Sequence, residues 1–327
     1  MKNLPSSFML FLVLPVFMVS CEKDDPFMIT GTTSIIANDS VATEEMLRAI
    51  PEVYIHAARN NLHIAYQHTS HGTHVSYGMF GLPGFKPGDE ARFAISNINQ
   101  PEADKLDFRD YALASYAEPG TDASDLSVNE TAFIQATRNY LDDPQNAEIN
   151  VVMWSWCSIA GHDVGANYLP GMQTLINEYG EGGSKIGSGE SQREHSVSFI
   201  FMTGHAELEN NVGNGLPRDQ AELIIDYCRE NKFYCLDYYG IDTHDMEGNY
   251  WEDAGDDGNS PTGGTYYADW QNSHDPGNDY YENRSSPGGS VTYGAHNTQH
   301  ITANRKAFAM WYILARIAGW DGEVAQP

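Results

Sequence analysis

The stretch LHIAYQHTSHGTH, residues 62–74, leaves an apolar run through His68, Ser70, His71, Gly72 and His74. A serine hydroxyl attacks a carbonyl only when a neighbouring imidazole removes its proton, and that imidazole works best when a third group fixes its tautomer. Ser70 at a sharp turn, with Gly72 permitting close backbone approach, has the attributes of the nucleophile. Far along the chain, GAHNTQHITANRKAF places His296, Asn297 and His300 directly before the last helical pattern. Of these, His300 is the expected base and Asn297 its orienting group. The bland reading of Ser70 is a turn serine bonded to its own backbone, and that of His300 a helix-capping residue.

Other corners carry chemistry too. The run INVVMW ends in Ser155, Trp156, Cys157 and Ser158; SFIFMT ends in Gly204, His205 and Glu207; FYCLDY leads to Asp242, His244 and Asp245. His68, His71, Gly72, Trp156, Ser158, His205 and Asp242 are therefore expected to contact substrate or the oxyanion. A polar network or a metal shell are the other roles open to the histidines, although no helical HExxH pattern is present. Cys157 reads as a small buried hydrophobe. Asp245, Glu247 and Asp253, followed by Asp256 and Asp257, form an oxygen-rich loop of the kind that holds calcium, although its spacing is not that of an EF-hand and a solvated acidic loop fits equally. The serine chemistry itself requires no cofactor.

These corners need elements to position them. Strand patterns at residues 62–67, 149–154, 198–203 and 233–238 alternate with helical patterns, among them NETAFIQATRNYLDD and LPRDQAELIIDYCREN. Alternation of this kind predicts an α/β fold, a three-layer α/β/α sandwich with a mainly parallel sheet, in which ligands sit at the carboxyl ends of the strands. Thr43 caps a first helix, and TANRKAFAMWYILARIAG closes the chain as a long amphipathic one. Residues 244–298, rich in Gly, Asp, Asn, Tyr and Trp, read as a long irregular loop excursion near the C-terminus.

The 327 residues carry 18 Lys+Arg against 45 Asp+Glu, a formal charge of −27. Such a surface repels phosphate backbones, so nucleic acid is not an expected partner. Residues 1–20 have the basic start, short apolar core and small-residue end of a signal peptide. They resemble a bacterial lipoprotein signal with Cys21 as the lipidated residue, although Met18 departs from the more usual leucine. The EKDD that follows resembles the acidic tether of Bacteroidetes-type surface lipoproteins; an ordinary secretory signal is the simpler alternative. On this reading residues 21–42 are a tether, residues 43–327 one α/β domain, and the protein an exported outer-membrane lipoprotein held to the membrane through Cys21. Cys228 and Cys235 could pair in an oxidising compartment.

The serine turn after an early strand and the late polar-x-x-His before a terminal helix resemble the SGNH/GDSL hydrolase superfamily, in a divergent branch. HTSHG stands where that family has Gly-Asp-Ser, with Ser70 at the nucleophile position. NTQH stands where it has Asp-x-x-His, with His300 at the base position. The resemblance spans about residues 62–319 and implies a flavodoxin-like sandwich and a Ser-His esterase. Two departures are plain: Asn297 replaces the family's acid, and WSWCS replaces the Gly-x-Asn-Asp block whose asparagine completes the oxyanion hole. The export signal and the aromatic-rich loop point to a polysaccharide or oligosaccharide substrate, hence a carbohydrate esterase. The same departures leave two alternatives open: a polysaccharide lyase using His/Tyr acid-base chemistry, and a non-catalytic glycan-binding lipoprotein.

Overall fold

A computed structural model describes residues 35–324. The signal peptide and Cys21 lie outside the described residues. The chain runs β1 (Ile35–Ala37), α1 (Glu44–Ala49), α2 (Glu52–Asn61), β2 (His63–Gln67), α3 (Thr73–Gly81), α4 (Asp89–Arg92), β3 (Ile95–Ser96) and β4 (Leu106–Asp110). It continues through α5 (Ala132–Asp142), β5 (Val151–Trp154), α6 (Leu169–Tyr179), β6 (Ser198–Met202), α7 (Pro217–Asn231), β7 (Tyr234–Leu236) and α8 (Tyr238–Thr243). The paired strands β8 (Asn259–Ser260) and β9 (Gly264–Thr265) follow, then α9 (Tyr266–Asn272) and α10 (Ile301–Ile317).

Strands β1 to β7 form one sheet in the order β1-β7-β6-β5-β2-β4-β3, parallel at every pairing. Because side chains alternate along a strand, each strand feeds two cores. Ile64, Tyr66, Val151, Met153, Ile200 and Met202 face a core closed by α1, α2, α3 and α10. Ala65, Val152, Trp154, Phe199, Phe201 and Cys235 face another, closed by α5, α6 and α7. The expected α/β/α sandwich is the fold of the described residues.

Three differences from the sequence reading have physical causes. Residues 35–37, expected within the tether, form the edge strand β1, which gains a hydrogen-bonded neighbour in β7. Strand β4 was not expected because LDFRD is more than half charged. Its Asp107 and Arg109 neutralise each other at 2.9 Å while both stay buried. Helix α10, expected to be amphipathic, is buried on almost every face. Its polar positions find internal partners: Lys306 Nζ lies 2.5 Å from Asp242 Oδ1 with both side chains fully buried, and Arg305 Nη1 donates to the Ile241 carbonyl at 3.2 Å. Residues 244–298 contain the β8–β9 pair and α9 among loops. Cys228 and Cys235 are both buried as free thiols. Among the described residues no helix is long and apolar enough to cross a membrane.

Candidate active site

From β2 the chain proceeds to β4 on one side of the sheet, while β5 lies on the other. The carboxyl ends of β2 and β5 therefore flank a topological switch point, where open parallel sheets hold their ligands. The end of β2 delivers Ser70, and the end of β5 delivers Cys157 and Ser158.

Ser70 opens a single 3₁₀ turn, Ser70–Gly72, that runs straight into α3. Its φ is +33°, a conformation that costs a non-glycine residue about 1–3 kcal/mol and persists only where the surroundings enforce it. Several bonds enforce it here. The Gly72 N–H donates to Thr69 O at 2.9 Å, Tyr66 Oη donates to Gly72 O at 3.0 Å, and Thr73 Oγ1 donates to Ser70 O at 2.6 Å. Gly72 is required for close approach, as the sequence suggested: a Cβ there would sit 2.3 Å from His68 Cβ and 2.4 Å from Ser155 Oγ.

The imidazole that meets Ser70 is His296. Its Nε2 lies 2.5 Å from Ser70 Oγ, within hydrogen-bond distance. His296 also has positive φ, +62°, so both members of the pair sit on strained backbone. The segment before it is clamped to α3. Ala295 N–H donates to Thr73 Oγ1 at 3.0 Å, and the Ala295 carbonyl is 2.7 Å from His74 Nε2. A carbonyl only accepts, so His74 carries a hydrogen on Nε2; its Nδ1 lies 2.6 Å from Tyr238 Oη, whose hydroxyl also donates to the His71 carbonyl at 2.9 Å. Burial and the nearby Lys306 ammonium hold His74 well below the usual imidazole range, consistent with a neutral ring. Among the described residues no ion pair joins a carboxylate to a His296 ring nitrogen, and Ser70 and His296 form a two-residue pair.

His300, the expected base, is not brought to Ser70. Its Nδ1 accepts the Asn283 N–H at 3.2 Å, which leaves the hydrogen on Nε2 and no free lone pair for a serine proton. The ring is buried against Tyr293, with centroids 4.4 Å apart, and that burial lowers its pKa. Asn297 does not orient it: its Oδ1 accepts from Gln299 N–H at 2.7 Å and its Nδ2 donates to Asp256 O at 3.1 Å. Those bonds shape the loop that carries His296. Sequence spacing could not separate His296 from His300, since both lie in one block; the difference is the left-handed backbone at His296 against the helix start at His300.

Beside the dyad lies a cavity of about 500 Å³ whose walls include His71, Ser158, His205, Glu207, Asp256 and His296. His71 is sandwiched between His205 and His296, with ring centroids at 3.6 and 4.5 Å and planes within 17° of parallel. Burial and the neighbouring imidazoles hold His71 far below its ordinary pKa, and burial lowers His205 as well. His205 Nδ1 is 2.8 Å from the Ala206 carbonyl, so its hydrogen is there and Nε2 keeps its lone pair. Asp256 Oδ2 stands 3.6 Å from His71 Nε2; burial raises this carboxyl to about 8. Ser158 Oγ donates to Glu207 Oε1 at 2.5 Å. One donor atom each from His71, His205 and Asp256 falls within a 4.8 Å span, a cluster that could hold a metal ion.

Four other expected contacts do not reach the cavity. His68 is fully buried, its Nε2 2.7 Å from Asp110 Oδ1 and its ring beside Tyr66 and Tyr111. It supports the turn from beneath. Trp156 is a core residue packed edge-on to Tyr168 at 5.2 Å. Gly72 serves backbone packing, as described above. Asp242 is fully buried against Lys306 and accepts the Ala206 N–H at 3.2 Å, which fixes the loop bearing His205. Opposed effects of burial and the Lys306 charge leave its carboxyl raised to about 6.

In the acidic loop of Asp245, Glu247 and Asp253, two of the carboxylates are hydrogen-bonded within their own turns. Asp245 accepts from Glu247 N, Asn249 N, Asn249 Nδ2 and Trp251 Nε1, all at 2.9–3.0 Å. Asp253 accepts from Ser260 Oγ at 2.5 Å and from Thr262 Oγ1 at 2.8 Å. Their oxygens brace turns, and these bonds offset burial to pull both carboxyls below their ordinary range. Asp256 joins the histidines instead, a partnership that its place in an acid-rich loop did not signal.

No protein-family model matches the chain, and no curated protein or solved structure does.

Proposed function

We propose that the protein is an exported, SGNH-like carbohydrate esterase in which Ser70 attacks an acyl carbonyl and His296 is the base. The observation that carries this reading is the 2.5 Å contact of Ser70 Oγ with His296 Nε2, both on enforced positive-φ backbone beside an open cavity. Attack would transfer the hydroxyl proton to His296 Nε2 and form an acyl-serine. His296 would return that proton to the departing sugar oxygen, and water would then release the acid by the same steps in reverse. The first N–H groups of the 3₁₀ turn, at Ser70 and His71, have no intrahelical acceptor and are the natural donors to the oxyanion.

The cavity lining favours a neutral acylated sugar. Glu207 and Asp257 line it, and no lysine or arginine does, so a uronate carboxylate would meet like charge. That weighs against a uronate lyase. Lipidation at Cys21 and display on the outer membrane remain part of this proposal through the signal-like first residues.

The test is turnover of acetylated oligosaccharides and p-nitrophenyl acetate by wild type and by Ser70→Ala and His296→Ala. Each variant is expected to lose about 10³-fold or more in kcat, whereas His300→Ala should lose less than about tenfold. Unsaturated uronate product that survives Ser70→Ala would replace the esterase with a lyase. Absence of turnover by wild type across a broad panel of acylated glycans would leave a binding protein.

A further inference from the structure

We propose that His71, His205 and Asp256 form a binding site for one divalent transition cation of the zinc class, with its open face towards the cavity. One nitrogen each from His71 and His205 and one carboxylate oxygen of Asp256 converge there. His205 Nε2 bears a lone pair because Nδ1–H is committed to the Ala206 carbonyl at 2.8 Å. A backbone carbonyl fixing the far nitrogen is the usual outer support of a metal-bound histidine. Asp256 Oδ2 is buried and has no hydrogen-bond partner, although it stands 3.6 Å from His71 Nε2. An unpaired buried polar atom is costly, and a cation shared by the three residues gives Asp256 Oδ2 the partner it lacks.

The three atoms lie within 4.8 Å of one another, with His71 Nε2 and Asp256 Oδ2 3.6 Å apart, against roughly 3.4 Å between ligand atoms in a tetrahedral shell with bonds of about 2.0–2.1 Å. Binding therefore draws the three atoms inward and splays the His71 and His205 rings, now 11° from parallel. Two imidazoles and one carboxylate suit Zn²⁺, Co²⁺ or Ni²⁺, whereas Ca²⁺ prefers six to eight oxygens. Glu207 Oε1 is 3.7 Å from His205 Nε2 but already accepts from Ser158, so it is not counted as a ligand. Three protein ligands leave a fourth position, as in catalytic rather than structural zinc sites. All three residues line the cavity with His296, so that position opens beside the dyad.

The test is calorimetric titration of the chelator-stripped full chain with Zn²⁺, with Co²⁺ visible absorption as a second readout. The expected result is one site per chain, an intense tetrahedral Co²⁺ band, and a rise in Tm with Zn²⁺ but not with Ca²⁺. His205→Gln and Asp256→Asn should each weaken Zn²⁺ at least about 100-fold while keeping the wild-type Tm without metal. Ser70→Ala should bind Zn²⁺ like wild type, so failure of the serine chemistry and failure of the metal site are read separately. Absence of saturable binding, affinities unchanged in both variants, or an equal response to Ca²⁺ overturns the proposal.

Discussion

At the scale of single residues, the site depends on which nitrogen of each imidazole holds its hydrogen. His296 Nε2 meets the Ser70 hydroxyl, His205 keeps Nε2 bare, and His300 has spent its acceptor on a backbone N–H. His74 anchors the arrangement because it ties the Ala295 carbonyl to Tyr238. Its folded pKa lies well below the ordinary 6.5, so between that value and 6.5 the unfolded chain binds a proton that the folded chain does not. The stability His74 confers is therefore full above pH 6.5 and is lost as pH falls below it. Urea unfolding of wild type and His74→Gln should differ most near pH 8, and the difference should shrink steadily towards pH 5. A gap independent of pH would show that His74 is not held neutral. The sequence disclosed the residue types of the site and placed them at strand ends. It did not reveal the tautomers, since those depend on partners such as Asn283 and Ala206 that no spacing rule names.

At the scale of elements, α3 is the frame on which Ser70 and the His296 loop are both mounted, and it lies hard against α10. A Cβ on Gly78 would stand 2.1 Å from the Ala303 carbonyl oxygen. Backbone cannot retreat as a side chain can, so Gly78→Ala should destabilise by about 1–3 kcal/mol or more. If Ser70 is the nucleophile, activity should fall as well, because the helix that carries its turn is displaced. Thermal unfolding and esterase assays on the same preparation check this; a wild-type Tm would contradict the packing described. The strands with uninterrupted apolar runs, β2, β5, β6 and β7, were legible as sequence patterns. Strand β4 was masked by Asp107 and Arg109, which cancel each other's charge only once folded. Strand β1 is three residues long, too short to carry a period. Helix α10 looked amphipathic because Arg305 and Lys306 resemble a solvent face until their internal partners are seen.

At the scale of the whole molecule, the charge of −27 acts on any substrate that approaches. Glu207 and Asp257 line the cavity, and added salt screens their charges within a Debye length of about 10 Å at 0.1 M. For esters on a polyuronate, kcat/KM should rise as ionic strength goes from about 20 to about 200 mM; for the same ester on a neutral glycan it should change less than about twofold. A rise of equal size on both substrates would point to a salt effect on the protein rather than on the encounter. Net charge was readable from composition, but the gathering of acid at the cavity depended on the fold that brings residues 207 and 257 together.

The central claim, that Ser70 is activated by His296, is tested most directly by labelling with a fluorophosphonate, which phosphonylates activated serines. The account predicts a single adduct on the peptide containing Ser70, formed at the wild-type rate in His300→Ala and slowed at least about 100-fold in His296→Ala. An unlabelled wild-type protein, or labelling lost with His300 and kept without His296, would contradict it.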